Sequence, residues 1–124
     1  MPRTILVVED NDGCRDALEA ALTKLPEFAV RLVTSAEQAL ECLAAEDVCA
    51  LVTDLRLGQM DGFELIDWVR SHPQRSSLPI LVISGDSDPG TRARLASLGA
   101  NAYFSKPFSP AAVCNKLEQL IHAY

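Results

Sequence analysis

Short apolar runs, each ending in a polar residue and separated by stretches of helical periodicity, leave this chain few ways to fold. The clearest runs are Ile5-Leu6-Val7-Val8, Ala50-Leu51-Val52-Thr53, Ile80-Leu81-Val82-Ile83 and Tyr103-Phe104-Ser105. Runs of this length read as strands buried on both faces of a parallel sheet. Between the first run and the next strand, over about 12–24, Ala17, Leu18, Ala21, Leu22 and Leu25 recur at spacings of three and four, the stripe of a helix lying on a core. Strand–helix alternation with short connections predicts parallel strands joined by right-handed crossovers, with helices on both faces.

The punctuation of the chain supports the same division. Strands are expected at about 4–9, 28–33, 49–53, after Pro79, and at 101–105. Ser35-Ala36-Glu37-Gln38 reads as a capping box, with the Ser35 oxygen on one helix amide and Gln38 reaching back. Asp61 with Glu64 repeats that logic after the loop Gly58-Gln59-Met60-Asp61-Gly62. Asp88-Pro89 and Ser109-Pro110 open two further helices, and Gly99 stops the first of these. The second strand carries Arg31 in its middle, which suits a sheet edge. The expectation is therefore a (βα)5 doubly wound sheet of strand order 2-1-3-4-5, forming one domain over residues 1–124.

The residues at the strand ends are chemically coherent. Glu9-Asp10 comes after the first run, Asp54 after the third strand, Ser84 after the fourth and Lys106 after the fifth. In an open α/β sheet the ligand site lies outside the carboxyl ends of the strands, so these residues should meet in one cleft. Carboxylates are hard oxygen ligands suited to Mg²⁺, and a lysine and a hydroxyl can hold phosphoryl oxygens. Three carboxylates bring three negative charges, which Mg²⁺ and Lys106 together balance. Without the cation the crowded acids should repel, raising at least one pKa.

Charge and cysteine usage narrow the alternatives. The net charge of −6 offers no basic footprint for direct nucleic-acid binding by this domain. No apolar run approaches the roughly 18 residues of a membrane helix, and the N-terminal run is too short for a signal-peptide core, so a cytoplasmic protein is expected. Cys14, Cys42, Cys49 and Cys114 lack CxxC spacing and read as small core or half-buried residues. His72 and His122 read as solvated helix-end histidines. Met1 lies three residues before the first strand and reads as a natural start, either of a single-domain protein or of one domain of a longer one.

Taken together, Val7-Val8-Glu9-Asp10-Asn11, Thr53-Asp54-Leu55-Arg56-Leu57, Met60-Asp61-Gly62, Ile83-Ser84-Gly85 and Ser105-Lys106-Pro107-Phe108 resemble the receiver domain of two-component response regulators, of chemotaxis-regulator type. The resemblance spans nearly the whole chain and implies the flavodoxin-like receiver fold. It implies Asp54 as phosphoacceptor, taking a phosphoryl group from the phosphohistidine of a histidine kinase or histidine phosphotransfer protein. It implies Asp10, Asp54 and the backbone carbonyl of Arg56 as Mg²⁺ ligands, Glu9 as an outer ligand through water, and Ser84 and Lys106 as phosphoryl contacts. Tyr103 is implied as an aromatic that changes rotamer, Lys106-Pro107 as a cis peptide, and the face of the fourth helix, fifth strand and fifth helix as the surface read by a downstream protein or effector domain. Such a module is a signalling switch rather than an enzyme, and works as a monomer or a phosphorylation-dependent dimer.

The chain departs from the commonest family pattern at Glu9, often aspartate, at Ser84, often threonine, and at Gly58, often proline, which suggests a looser loop after Asp54. Arg56 and Asp86 are expected to face each other across the cleft mouth, where two independently solvated side chains are slightly favoured over an ion pair. Three other functions compete. A phosphatase of haloacid-dehalogenase type needs an acid two residues after its nucleophile, where this chain has Arg56. A nucleotide- or flavin-binding domain would need a glycine-rich phosphate loop that is missing. A degenerate receiver that only binds partners is at odds with the intact Glu9, Asp10, Asp54 and Lys106.

Overall fold

The computed structural model describes residues 3–86 and 88–122; Met1, on which the reading of the N-terminus rests, lies outside them. Five strands, β1 (Arg3–Val8), β2 (Phe28–Val33), β3 (Val48–Thr53), β4 (Ile80–Ser84) and β5 (Ala102–Ser105), alternate with α1 (Asp12–Leu22), α2 (Ala36–Ala45), α3 (Gly62–Ser71), α4 (Pro89–Leu98) and α5 (Pro110–Ile121). All pairings are parallel and the sheet order is β2-β1-β3-β4-β5.

The period-two alternation of the strands separates two cores. Leu6, Val8, Leu51, Ile80 and Val82 pack on one face with Leu43 of α2, Leu65 and Val69 of α3, and Leu95 of α4. Ile5, Val7, Ala50, Val52, Leu81 and Ile83 pack on the other with Leu18 and Leu22 of α1 and Val113, Leu117 and Ile121 of α5. β2 is the edge, and Arg31 points from it to Glu46, Nε to Oε2 3.4 Å. The central strands are dry on both faces, so their polar neighbourhood is at the strand ends.

Local details depart from the sequence reading in three places. Ser35 accepts from the Gln38 amide as expected, but Gln38 reaches one residue further back, its Oε1 accepting from the Thr34 amide at 2.8 Å and hydroxyl at 3.1 Å. Gly58 turns the chain after Asp54 at φ +91°, a left-handed conformation closed to proline. His72 is not solvated; it is half-buried, its ring 3.9 Å from that of Trp68 and its Nδ1 2.7 Å from the Trp68 carbonyl. A 3-10 turn at Pro73–Arg75, absent from the sequence reading, comes directly after it. Gly99 ends α4 with φ +97°, and Lys106-Pro107 is cis.

Candidate functional site

Four strand ends converge because their neighbours hold them there. The Asp54 amide donates to the Val8 carbonyl at 3.1 Å, tying the end of β3 to that of β1. The Lys106 amide donates to the Ser84 carbonyl at 2.9 Å, tying β5 to β4. The Glu9 amide donates to the Val33 carbonyl at 3.1 Å, so Glu9 continues the β1–β2 ladder. Strands distant in sequence thus deliver Glu9, Asp10, Asp54, Ser84 and Lys106 to one end of the sheet.

Glu9 is 2% exposed and Asp54 8%, whereas Asp10 faces solvent. One oxygen from each of the three carboxylates lies within 4.8 Å of the others. Lys106 Nζ sits between the two buried acids, 2.7 Å from Glu9 Oε1 and 2.8 Å from Asp54 Oδ2. The other Asp54 oxygen accepts from the Leu55 amide at 2.6 Å. Burial pushes the Glu9 carboxyl up from its ordinary value; the bond from Lys106 pulls it back and the charge of Asp54 pushes it up again. Burial alone would lower the Lys106 pKa, but its bonds to Asp54 and Glu9 and their charges outweigh this and raise it, so the lysine stays charged. The crowding expected to raise one acid's pKa acts on Glu9 through the charge of Asp54, but burial, not repulsion, is the leading cause of the rise there.

This donor set fits a hard divalent cation. Three carboxylates supply oxygen ligands, and the exposed Asp10 leaves a side where retained waters have room, as Mg²⁺ requires. Arg56 is exposed in the loop after Asp54, between the buried Leu55 and Leu57. Ser84 is buried at the end of β4, and its Oγ accepts from the Asp86 amide at 3.2 Å.

The rim carries a second network. The half-buried Tyr103 donates its hydroxyl to the Asp86 carbonyl. Arg92 lies over the Tyr103 ring, 4.8 Å from its centroid, and its Nη2 donates to Ser105 Oγ at 3.4 Å. The Asp86 carboxylate accepts from the Asp88 amide and from Thr91 Oγ1, each at 2.9 Å. These two bonds, in that order, hold its carboxyl below the usual value, and Arg56 adds the weakest contribution. Arg56 and Asp86 form no ion pair among the described residues, in line with the favoured reading of two independent side chains; the carboxylate shapes its own loop.

Two contributors are not apparent from the sequence. Arg15 braces the loop after β1, its Nη1 donating to the Glu9 carbonyl at 3.2 Å and its Nη2 to Asp12 Oδ1 at 2.5 Å. The i, i+3 spacing of Asp12 and Arg15 is visible in the chain, but their relation to the cleft depends on where α1 starts. Gly62 stands in the sequence only as part of a motif. A Cβ there would lie 2.3 Å from the Asp54 carbonyl oxygen and 2.8 Å from the Leu55 Cα, so α3 can start against the Asp54 loop only without a side chain.

Comparison with known proteins shows the family and fold of the chain. The response regulator receiver domain family model matches residues 5–118. The transcriptional regulatory protein GltR of Pseudomonas aeruginosa is 34% identical over 119 residues, covering 96% of this chain and 49% of that protein, so the chain spans about half that relative's length. The chemotaxis protein CheY homolog of Campylobacter jejuni is 30% identical, covering 94% of this chain and 91% of that one. The crystal structure of the receiver domain of sensor histidine kinase PA1611 from Pseudomonas aeruginosa, with a magnesium ion coordinated in its active site cleft, superposes with a TM-score of 0.86 at 29% identity, covering 98% of each chain.

Proposed function

This chain belongs to the response regulator receiver family, and from that premise we propose that it is one receiver domain over residues 1–124 that switches when Asp54 accepts a phosphoryl group. The observation that carries the proposal is the position of Lys106 Nζ, held by both buried carboxylates of a three-acid cluster. An ordinary surface acid patch has no charged lysine drawn into it from a strand at the far side of the sheet.

In this reading an Asp54 oxygen attacks the phosphorus of a phosphohistidine. The O–P bond forms as the N–P bond breaks, and the imidazole keeps the electron pair. Phosphoryl transfer asks mainly for positioning and charge neutralisation. Asp10 and Asp54, with the carbonyl of Arg56 and with Glu9 through water, would hold Mg²⁺, which supplies positive charge beside the transferring group. Lys106 leaves its bond with Asp54 for the new phosphoryl oxygens, and Ser84 Oγ turns from the Asp86 amide to the same group. That exchange loosens the loop on which Tyr103 is anchored through Asp86. The rotamer of Tyr103 and the α4–β5–α5 face change with it, and this face is read by a downstream protein or effector domain. The phosphoryl donor is a histidine kinase or histidine phosphotransfer protein, and the chain acts as a monomer or a phosphorylation-dependent dimer in the cytoplasm.

Magnesium dependence tests the reading. With acetyl phosphate as donor, labelling should proceed in Mg²⁺ and stop when the cation is chelated. Equal labelling with and without chelator would contradict the role given to the acid cluster.

A further inference from the structure

A second cluster of metal-ligating side chains lies at the opposite end of the molecule from the cleft. Glu118 and His122 are one turn apart at the end of α5, so both project from the same face of the helix. Glu27 comes to meet them from the connection between α1 and β2. One ligand atom from each of the three lies within 4.8 Å of the others. His122 Nε2 is 3.6 Å from Glu27 Oε2. The imidazole lies beside Phe28, whose ring centroid is 6.3 Å away in a tilted arrangement. Phe28 is in turn buried at the start of β2 and covered by Arg3, 5.7 Å from its centroid.

From this arrangement we propose a surface site for a divalent transition cation of the Zn²⁺ class, formed by Glu27, Glu118 and His122. The dimensions match. Zinc bonds to nitrogen and oxygen are about 2.0–2.1 Å, so two tetrahedral ligands stand roughly 3.3 Å apart. The imidazole–carboxylate separation is already within a few tenths of an ångström of that, and the third ligand is within a rotamer's reach. The ligand chemistry selects the metal: an imidazole with two carboxylates suits Zn²⁺, whereas Mg²⁺ prefers oxygen ligands and its own waters. A fourth, solvent-held position stays open, as two of the three residues are exposed. Helical spacing brings Glu118 to His122 and the chain entering β2 brings Glu27, so an imidazole and two carboxylates from two elements meet at one point. Lys24 is near enough to act on Cys114, one turn before Glu118, yet it makes no ion pair with either glutamate among the described residues.

A cation here would join the last turn of α5 to the loop entering β2. It would thereby fix the end of the helix that forms one side of the proposed output face. The site uses no residue of the cleft and does not depend on the phosphorylation reading.

The test is a ZnCl2 titration of the full chain in excess MgCl2, which occupies the acid cleft, monitored by amide and imidazole resonances and by calorimetry. Zinc should shift the His122 ring together with Glu27, Glu118 and their neighbours. His122→Asn and Glu27→Gln, both exposed changes, should each weaken this event by about tenfold or more, since losing even an outer-shell partner costs about 10–100-fold in metal affinity. Zinc that moves only cleft or cysteine resonances, leaving the His122 ring unchanged, overturns the site. So does unaltered zinc affinity in His122→Asn.

Discussion

Gly62 is the residue where the site tolerates least change. Its missing Cβ lets the Asp54 carbonyl lie against the start of α3, and the contact is with backbone, which cannot rotate away. Gly62→Ala should destabilise the fold by about 3 kcal/mol, the upper range for overpacking a core, and displace the Asp54 loop. Chemical denaturation checks the first effect; a change under about 1 kcal/mol would mean the loop yields easily. Asp86 makes a different prediction. Its carboxylate form is favoured by the Asp88 amide and Thr91 hydroxyl, so its folded pKa is below the unfolded value of about 3.9. Between the two values the unfolded chain binds more protons, so stability rises with pH. The contribution of Asp86 is thus fully present above the unfolded pKa and lost as pH falls through the folded one. Carboxyl-carbon NMR should place its titration midpoint below that of an exposed aspartate, and Asp86→Asn should flatten this acid limb of the stability curve. A midpoint at or above the ordinary value would contradict the loop geometry.

Among the elements, α4 and β5 reach the rim of the cleft through side-chain contacts as well as through the core that Leu95 joins. Tyr103, Arg92, Ser105 and the Asp86 loop form one connected set beside Lys106. Lys106→Ala should therefore uncouple phosphorylation from its readout. On addition of beryllofluoride and Mg²⁺, amide shifts in α4 and α5 should be clearly smaller than in the unchanged chain. Full-sized shifts in Lys106→Ala would show that the signal reaches α4 another way. Tyr103→Ala should leave labelling of Asp54 intact and alter the affinity of whatever binds the α4–β5–α5 face. Elements are also the scale at which the sequence is most readable. Strand runs such as Ile80-Leu81-Val82-Ile83 and caps such as Ser35, Asp61 and Asp88 are local, and the backbone obeys them. Gln38 bonding Thr34, the left-handed Gly58 and the stacked His72 are not legible, because each depends on how a loop closes or which ring lies above it.

At the scale of the whole molecule the topology does most of the positioning. Strand order β2-β1-β3-β4-β5 is readable from the weak apolarity of β2 and its Arg31, and that order makes β1, β3, β4 and β5 neighbours. Their carboxyl ends then gather Glu9, Asp10, Asp54, Ser84 and Lys106 without any local sequence signal joining them. The division of charge inside the cluster is not readable in the same way. That Lys106 bonds both Glu9 and Asp54, and that Asp86 turns to its own loop instead of Arg56, are outcomes of side-chain competition in three dimensions. The central claim is that this geometry makes Asp54 the acceptor, and the most direct measurement is intact mass after incubation with acetyl phosphate and Mg²⁺. The chain should gain a single phosphoryl group and Asp54→Asn should gain none; an Asp54→Asn chain labelled as fully as the unchanged one would contradict the account.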